Sequence, residues 1–71
     1  MARGIDMEFS TKMREYRQRK KMSQAELAEK VGCRRETIGK LENGKYNPSL
    51  KLALDVAKEL DATVYDLFFF K

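Results

Sequence analysis

Between residues 22 and 48 the chain alternates short apolar stripes with charged positions, and the rhythm restarts once. Leu27, Ala28 and Val31 recur at helical spacing while Glu26, Glu29 and Lys30 are left for water, the pattern of a helix that packs by one face. Ser23 and Glu26 stand just ahead of that stripe. A hydroxyl and a carboxylate so spaced each satisfy a backbone N–H that the first helical turn leaves without a partner, so the helix is predicted to begin at about Gln24. Gly32 ends it, because glycine tolerates the left-handed backbone that closes a helix, and a second helix is expected from about Arg34. In that helix Ile38 and Leu41, with Cys33 just before it, point inward; Arg34, Arg35, Glu36, Gly39 and Lys40 remain on the outer face.

The flanks follow the same logic. Residues 7 to 9 read apolar, polar, apolar, the pattern of a short half-buried strand. Ser10 or Thr11 is then expected to cap a helix over about residues 11 to 21, with Met13, Tyr16 and Arg17 inward. Tyr46-Asn47-Pro48-Ser49 is turn chemistry, in which proline pushes Asn47 out of the helical region and Ser49 offers a cap. Residues 50 to 60 form the most apolar helix and are expected to be the central buried element. Thr63 and Asp66 repeat the capping box ahead of a last short helix, residues 64 to 68. Consecutive phenylalanines at 68 to 70 cannot all face one small core, so they read as a strand alternating its faces and pairing with residues 7 to 9.

The expected fold is therefore all-α, five helices, with a short antiparallel β-ribbon joining the N- and C-terminal ends. It divides into an N-terminal extension over residues 1–9 that holds the short strand, a helical domain over residues 10–68 and a hydrophobic tail over residues 69–71. Residues 1 to 6 carry no pattern and are expected to fray.

Charge changes the picture. Of the net +4, residues 10 to 47 carry eleven Lys or Arg against five Glu, a local +6, so the positive charge is concentrated on the segment that holds the first helix and the paired helices, where a phosphate backbone would need it. A second helix presenting two arginines, a lysine and a space-clearing glycine suits a DNA major groove. By periodicity alone, an ordinary solvated surface helix would look the same. With no histidine and one cysteine, neither a transition-metal cluster nor a Ser-His or Cys-His nucleophile pair can be assembled; neither an enzyme nor a cofactor is expected. Cys33 reads better as a small core residue than as a redox sensor. Apolar runs are too short for a transmembrane helix and no signal-peptide core is present, so no membrane partner and a cytoplasmic location are expected.

Ser23-Gln24-Ala25-Glu26-Leu27-Ala28, Gly32, Thr37-Ile38, Leu41-Glu42-Asn43-Gly44-Lys45 and Asn47-Pro48-Ser49-Leu50 together resemble the Cro/CI-type helix-turn-helix regulators, in their minimal single-domain form, over about residues 12 to 68. The resemblance implies a sequence-specific regulator of transcription, most often a repressor, that binds double-stranded DNA as a homodimer. It implies base contacts from Arg34, Arg35, Glu36, Thr37 and Lys40, and phosphate contacts from Arg17, Ser23, Gln24, Asn43 and Lys45. It also implies that Arg17 pairs with Glu42. Gly39 stands where relatives carry a longer polar side chain. Arg34 departs from their usual Ser or Thr cap, leaving it open between cap substitute, phosphate clamp and base reader. Homodimerisation is expected through Tyr46, Asn47, Val64, Leu67 and Phe68, since so short a chain has too little core to bury this cluster by itself. The competing reading is an antitoxin or protein-interaction module whose hydrophobic tail engages a second protein.

Overall fold

The computed structural model describes residues 9 to 70, excluding the side chain of residue 70. Five helices and two short strands follow in the order β1 (Phe9–Thr11), α1 (Met13–Arg19), α2 (Gln24–Val31), α3 (Arg35–Glu42), α4 (Leu50–Glu59), α5 (Val64–Leu67) and β2 (Phe68–Phe70). Helices α2 and α3 pack on each other and α2 also on α4. Met13, Leu27, Ile38, Leu41, Val56 and Leu67 are removed completely from solvent at the centre. At least one side chain from each of the five helices thus meets in a single core.

The local signals act as the sequence predicts. Ser23 Oγ accepts the Glu26 N–H at 3.0 Å and the Glu26 carboxylate accepts the Ser23 N–H at 2.7 Å, completing the box at the start of α2. Gly32 closes the helix in the left-handed region at φ +77°. Thr63 and Asp66 make the equivalent pair ahead of α5, at 3.1 and 2.9 Å. Ser49 caps α4 through the Leu52 N–H. Each cap satisfies a backbone donor within three residues, so none of the three depends on the rest of the fold.

The N-terminal segment differs from the expectation. The strand begins at Phe9 and runs through Thr11; Met7 and Glu8, assigned to it from the sequence, lie outside the described residues, as do residues 1 to 6. Phe9 pairs with Phe70, Ser10 with Phe69 and Thr11 with Phe68 in an antiparallel register. Ser10 and Thr11 are thereby taken up by the sheet, and α1 starts after Lys12, whose own side chain makes no cap, and is shorter than predicted at both ends; Thr11 Oγ1 still accepts the Met13 N–H at the start of α1, at a long 3.4 Å. Thr11 also donates its hydroxyl to the Glu42 carbonyl at 2.8 Å, fastening the strand to the end of α3. Phe68 turns inward onto Phe9, ring centroids 6.3 Å apart, while Phe69 faces outward beneath the Lys12 ammonium. The alternation of faces predicted for the tail is present.

Helix α4 is not buried all round. Val56 and Ala57 face the core, but Leu50 is 74% exposed and Leu54 51%. Its apolar surface is wider than the interior it serves, and the surplus lies against solvent next to α5.

Candidate nucleic-acid interface

The paired helices are locked by one buried carboxylate. Glu42, at the end of α3, is shielded from solvent and takes donors from two other helices. The Arg17 Nε donates to its Oε2 at 2.6 Å and a second guanidinium nitrogen reaches Oε1 at 3.4 Å; the third donates to the Met22 carbonyl at 2.8 Å. Gln24, the first residue of α2, donates its amide to Glu42 Oε1 at 3.0 Å. Burial pushes the Glu42 carboxyl up, but the hydrogen bonds from Arg17 and Gln24 and the charges of Arg17 and Arg14 outweigh it, holding the group below the ordinary glutamate range. This carboxylate fixes α1, the start of α2 and the end of α3 in one arrangement.

The Arg17–Glu42 pair implied by the resemblance is therefore present. Its consequence for Arg17 is different from the one expected: all its nitrogens are engaged inside and the side chain is only 10% exposed, so Arg17 is not free to meet a phosphate. Arg14, one turn earlier on α1, is its exposed counterpart and was not singled out from the sequence. An i, i+3 pair of arginines shares a face, but only the tertiary packing decides which one is enclosed.

On α3 the side chains of Arg34, Arg35, Glu36 and Lys40 are exposed and make no hydrogen bond or ion pair with any described residue. Thr37 and Gly39 are half-buried between them. Arg34 occupies the cap position with extended backbone and gives no side-chain cap, because a guanidinium has no acceptor to offer; of its three readings, cap substitute is excluded. The Gln24 amide lies across Gly39: a Cβ built there would stand 3.8 Å from Gln24 Nε2, an ordinary contact, so glycine is not sterically required at this place. Ser23 is committed to its capping box. Asn43 and Lys45 are exposed in the turn after α3.

Gly44 in that turn has a stronger reason to be glycine. Its φ is +71°, and a methyl group there would collide with the Phe9 carbonyl oxygen. The turn that follows the outer-face helix is thus pressed directly against β1. Cys33 is half-buried, with its thiol pushed up by desolvation and its Sγ directed at the Arg34 carbonyl at 3.6 Å; it behaves as a small packing residue.

Of the residues expected at a dimer contact, Leu67 is fully enclosed and Phe68 nearly so, both within this chain's own core. The premise that a short chain cannot bury them fails, because the β1–β2 ribbon supplies a lid over the end of the bundle. Tyr46 and Asn47 are exposed and Val64 is half-buried. Asn47 and Val64 line an open groove of about 380 Å³ together with Pro48, Leu50, Ala53, Tyr65 and Phe68, and Tyr65 is 85% exposed.

Two helices joined at a left-handed glycine, the second carrying an uncommitted basic face and the first held to it by a buried carboxylate, define a helix-turn-helix DNA-binding domain. The helix-turn-helix family profile matches residues 13–67, and the chain belongs to the Cro/CI-type helix-turn-helix family of transcriptional regulators. It is 57% identical over 60 residues to an HTH-type transcriptional regulator of Archaeoglobus fulgidus, covering 84% of this chain and 86% of that one. It is 42% identical over 63 residues to the HTH-type regulator MJ0272 of Methanocaldococcus jannaschii, covering 89% and 96%. Among solved structures it is similar to the restriction-modification controller protein C.AhdI from Aeromonas hydrophila, with a TM-score of 0.69 and 37% identity over 76% of this chain and 82% of that one. It is also similar to the clp gene regulator ClgR from Corynebacterium glutamicum, with a TM-score of 0.70 and 31% identity over 76% of this chain and 57% of that one.

Proposed function

We propose that the protein represses transcription in the cytoplasm by occupying a two-fold symmetric operator as a homodimer, each α3 entering a major groove. The carrying observation is the set of exposed side chains on α3, Arg34, Arg35, Glu36 and Lys40, which have no partner among the described residues. Charged groups left unpaired on one face of a positioned helix are available for base edges: Arg35 and Lys40 suit guanine O6 and N7, and Glu36 suits a cytosine amine. Thr37 is the fifth reader. The N-terminus of α2 at Gln24, with Ser23 beside it, and the turn at Asn43 and Lys45 supply backbone positioning on either side.

The homodimer is supported by the uncovered apolar surface of α4 and α5. Leu50, Leu54, Tyr65, Val64 and the groove-lining Phe68, with Tyr46 and Asn47, form the contact, while Leu67 serves the interior. A second copy seated there would set the two α3 helices about one DNA turn apart, roughly 34 Å. The tail does not favour a separate protein partner, since Phe68 packs on Phe9 and Phe69 lies against Lys12.

Duplex titration tests the reading. Lys40→Ala or Arg35→Ala is expected to cost about 1 to 3 kcal/mol on the cognate site and to relax base preference at one position per half-site. Lys45→Ala is expected to weaken cognate and random DNA alike. Equal losses for all three variants on every sequence would remove α3 from the groove. With Lys45 and, as a phosphate clamp, Arg34 in each subunit of the dimer, log affinity against log salt should fall with a slope steeper than about −3; a flat plot would remove DNA as the ligand.

A further inference from the structure

Arg14 holds a guanidinium that the fold does not need. It stands on α1 with its side chain 56% exposed, its Nε 3.5 Å from Glu42 Oε1 and a terminal nitrogen 3.5 Å from Asn43 Oδ1. Both contacts are at the long limit of a hydrogen bond and both leave most of the five N–H groups unused. Glu42 is already satisfied by Arg17 at 2.6 Å and Gln24 at 3.0 Å, and one carboxylate cannot neutralise two arginines. The cluster of Arg14, Arg17 and Glu42 therefore keeps one positive charge, carried by the exposed member.

The second contact has a directional effect. Because Arg14 donates to Asn43 Oδ1, the amide nitrogen of Asn43 is turned away with both of its N–H groups free. Arg14 and Asn43 thus present donors from one place, between α1 and the turn that follows α3, and Lys45 lies two residues further along that turn.

We infer that Arg14 is a DNA-phosphate contact that also orients Asn43 toward the same phosphate, so that α1 contributes to the clamp on the backbone. The ligand is the phosphodiester of duplex DNA, and the inference rests on the DNA-binding reading above. It assigns to Arg14 the role that burial denies to Arg17. A guanidinium fork matches two phosphate oxygens, and the N–H groups of Arg14 that neither Glu42 nor Asn43 uses can meet them while the contact to Asn43 is kept.

The test is the salt dependence of binding to a cognate and a random duplex by the full chain and two variants. Arg14→Ala should reduce affinity for both duplexes alike, by about eightfold per subunit at 0.1 M salt and so about 60-fold for the dimer, and make the slope of log affinity against log salt shallower by about 0.9 per subunit. Arg14→Lys keeps the charge and loses the fork, so it should retain the wild-type slope with a smaller loss of affinity. Thermal melting of each variant reports any loss of fold separately, and because Arg14 is exposed both should melt within a few degrees of the parent. A wild-type slope for Arg14→Ala, or a loss confined to the cognate site, overturns the inference while leaving the DNA reading intact. A wild-type chain whose duplex binding is absent or independent of salt overturns both.

Discussion

Glu42 is a charged side chain whose neighbours determine its effect. Removing it leaves Arg17 enclosed with no counter-charge, and Glu42→Ala is expected to destabilise the fold by about 3 to 5 kcal/mol, read from a urea titration. Its pH effect has a definite sign. Its folded pKa lies below that of the unfolded chain, so the unfolded state takes up the proton first as pH falls. The stabilisation is therefore complete above the ordinary glutamate range and is lost as pH drops through the depressed folded value. Thermal melts from neutral pH downward should show an acid-induced fall in Tm, and Glu42→Gln should lower stability at neutral pH while flattening that fall. An identical acid limb in the variant would assign the loss to other carboxylates. Gly44 is the second residue whose surroundings decide. Gly44→Ala is strained in backbone and collides with β1, so it should cost more than the ~1 kcal/mol of a simple glycine-to-alanine mismatch, with the loss visible as melting of the ribbon and the turn together.

At the level of elements, helix ends follow rules that act over three or four residues, and their exceptions point to specific gains. Lys21, immediately after the cap of α1, has φ 55°, the left-handed conformation that Gly32 takes after α2. A β-carbon is unfavourable there and glycine is not. Lys21→Gly is expected to raise stability by about 0.5 to 1 kcal/mol, or a few degrees in Tm, measured by calorimetry. Asp61 shares the conformation at φ 54°, yet it also pairs with Lys20, so the same change there gives up an ion pair across the α1–α4 corner and should gain less. Position 21 separates backbone strain from charge more cleanly.

For the whole molecule, the apolar groove beside α4 and α5 and the enclosed residues beneath it give opposite outcomes. Leu50→Glu and Tyr65→Asp change only exposed positions; they should leave Tm at low concentration nearly unchanged, convert a dimer to monomer in sedimentation and reduce operator affinity although no DNA-facing atom has moved. Leu67→Asp should instead unfold the chain, because the position has no access to solvent or to a partner. A wild-type chain that stays monomeric at tens of micromolar and still binds its operator as one subunit would remove the dimer.

What the sequence determined by itself is the set of features fixed by near neighbours: both capping boxes, the glycine stop at Gly32, the inward stripe of Leu27, Ile38 and Leu41, and the concentration of positive charge on residues 10 to 47. A cap or an amphipathic stripe is complete within one or two turns, so distance along the chain carries the needed information. The Arg17–Glu42 tie was legible only through its resemblance to a known pattern, for the two residues are 25 apart. The tertiary structure decided the rest. It chose Arg17 for the interior and left Arg14 outside, drew Ser10 and Thr11 from a helix cap into a sheet, and enclosed Leu67 and Phe68 while exposing Leu50 and Tyr65. Each choice depends on which distant segment covers a residue, and composition and period are the same for either outcome.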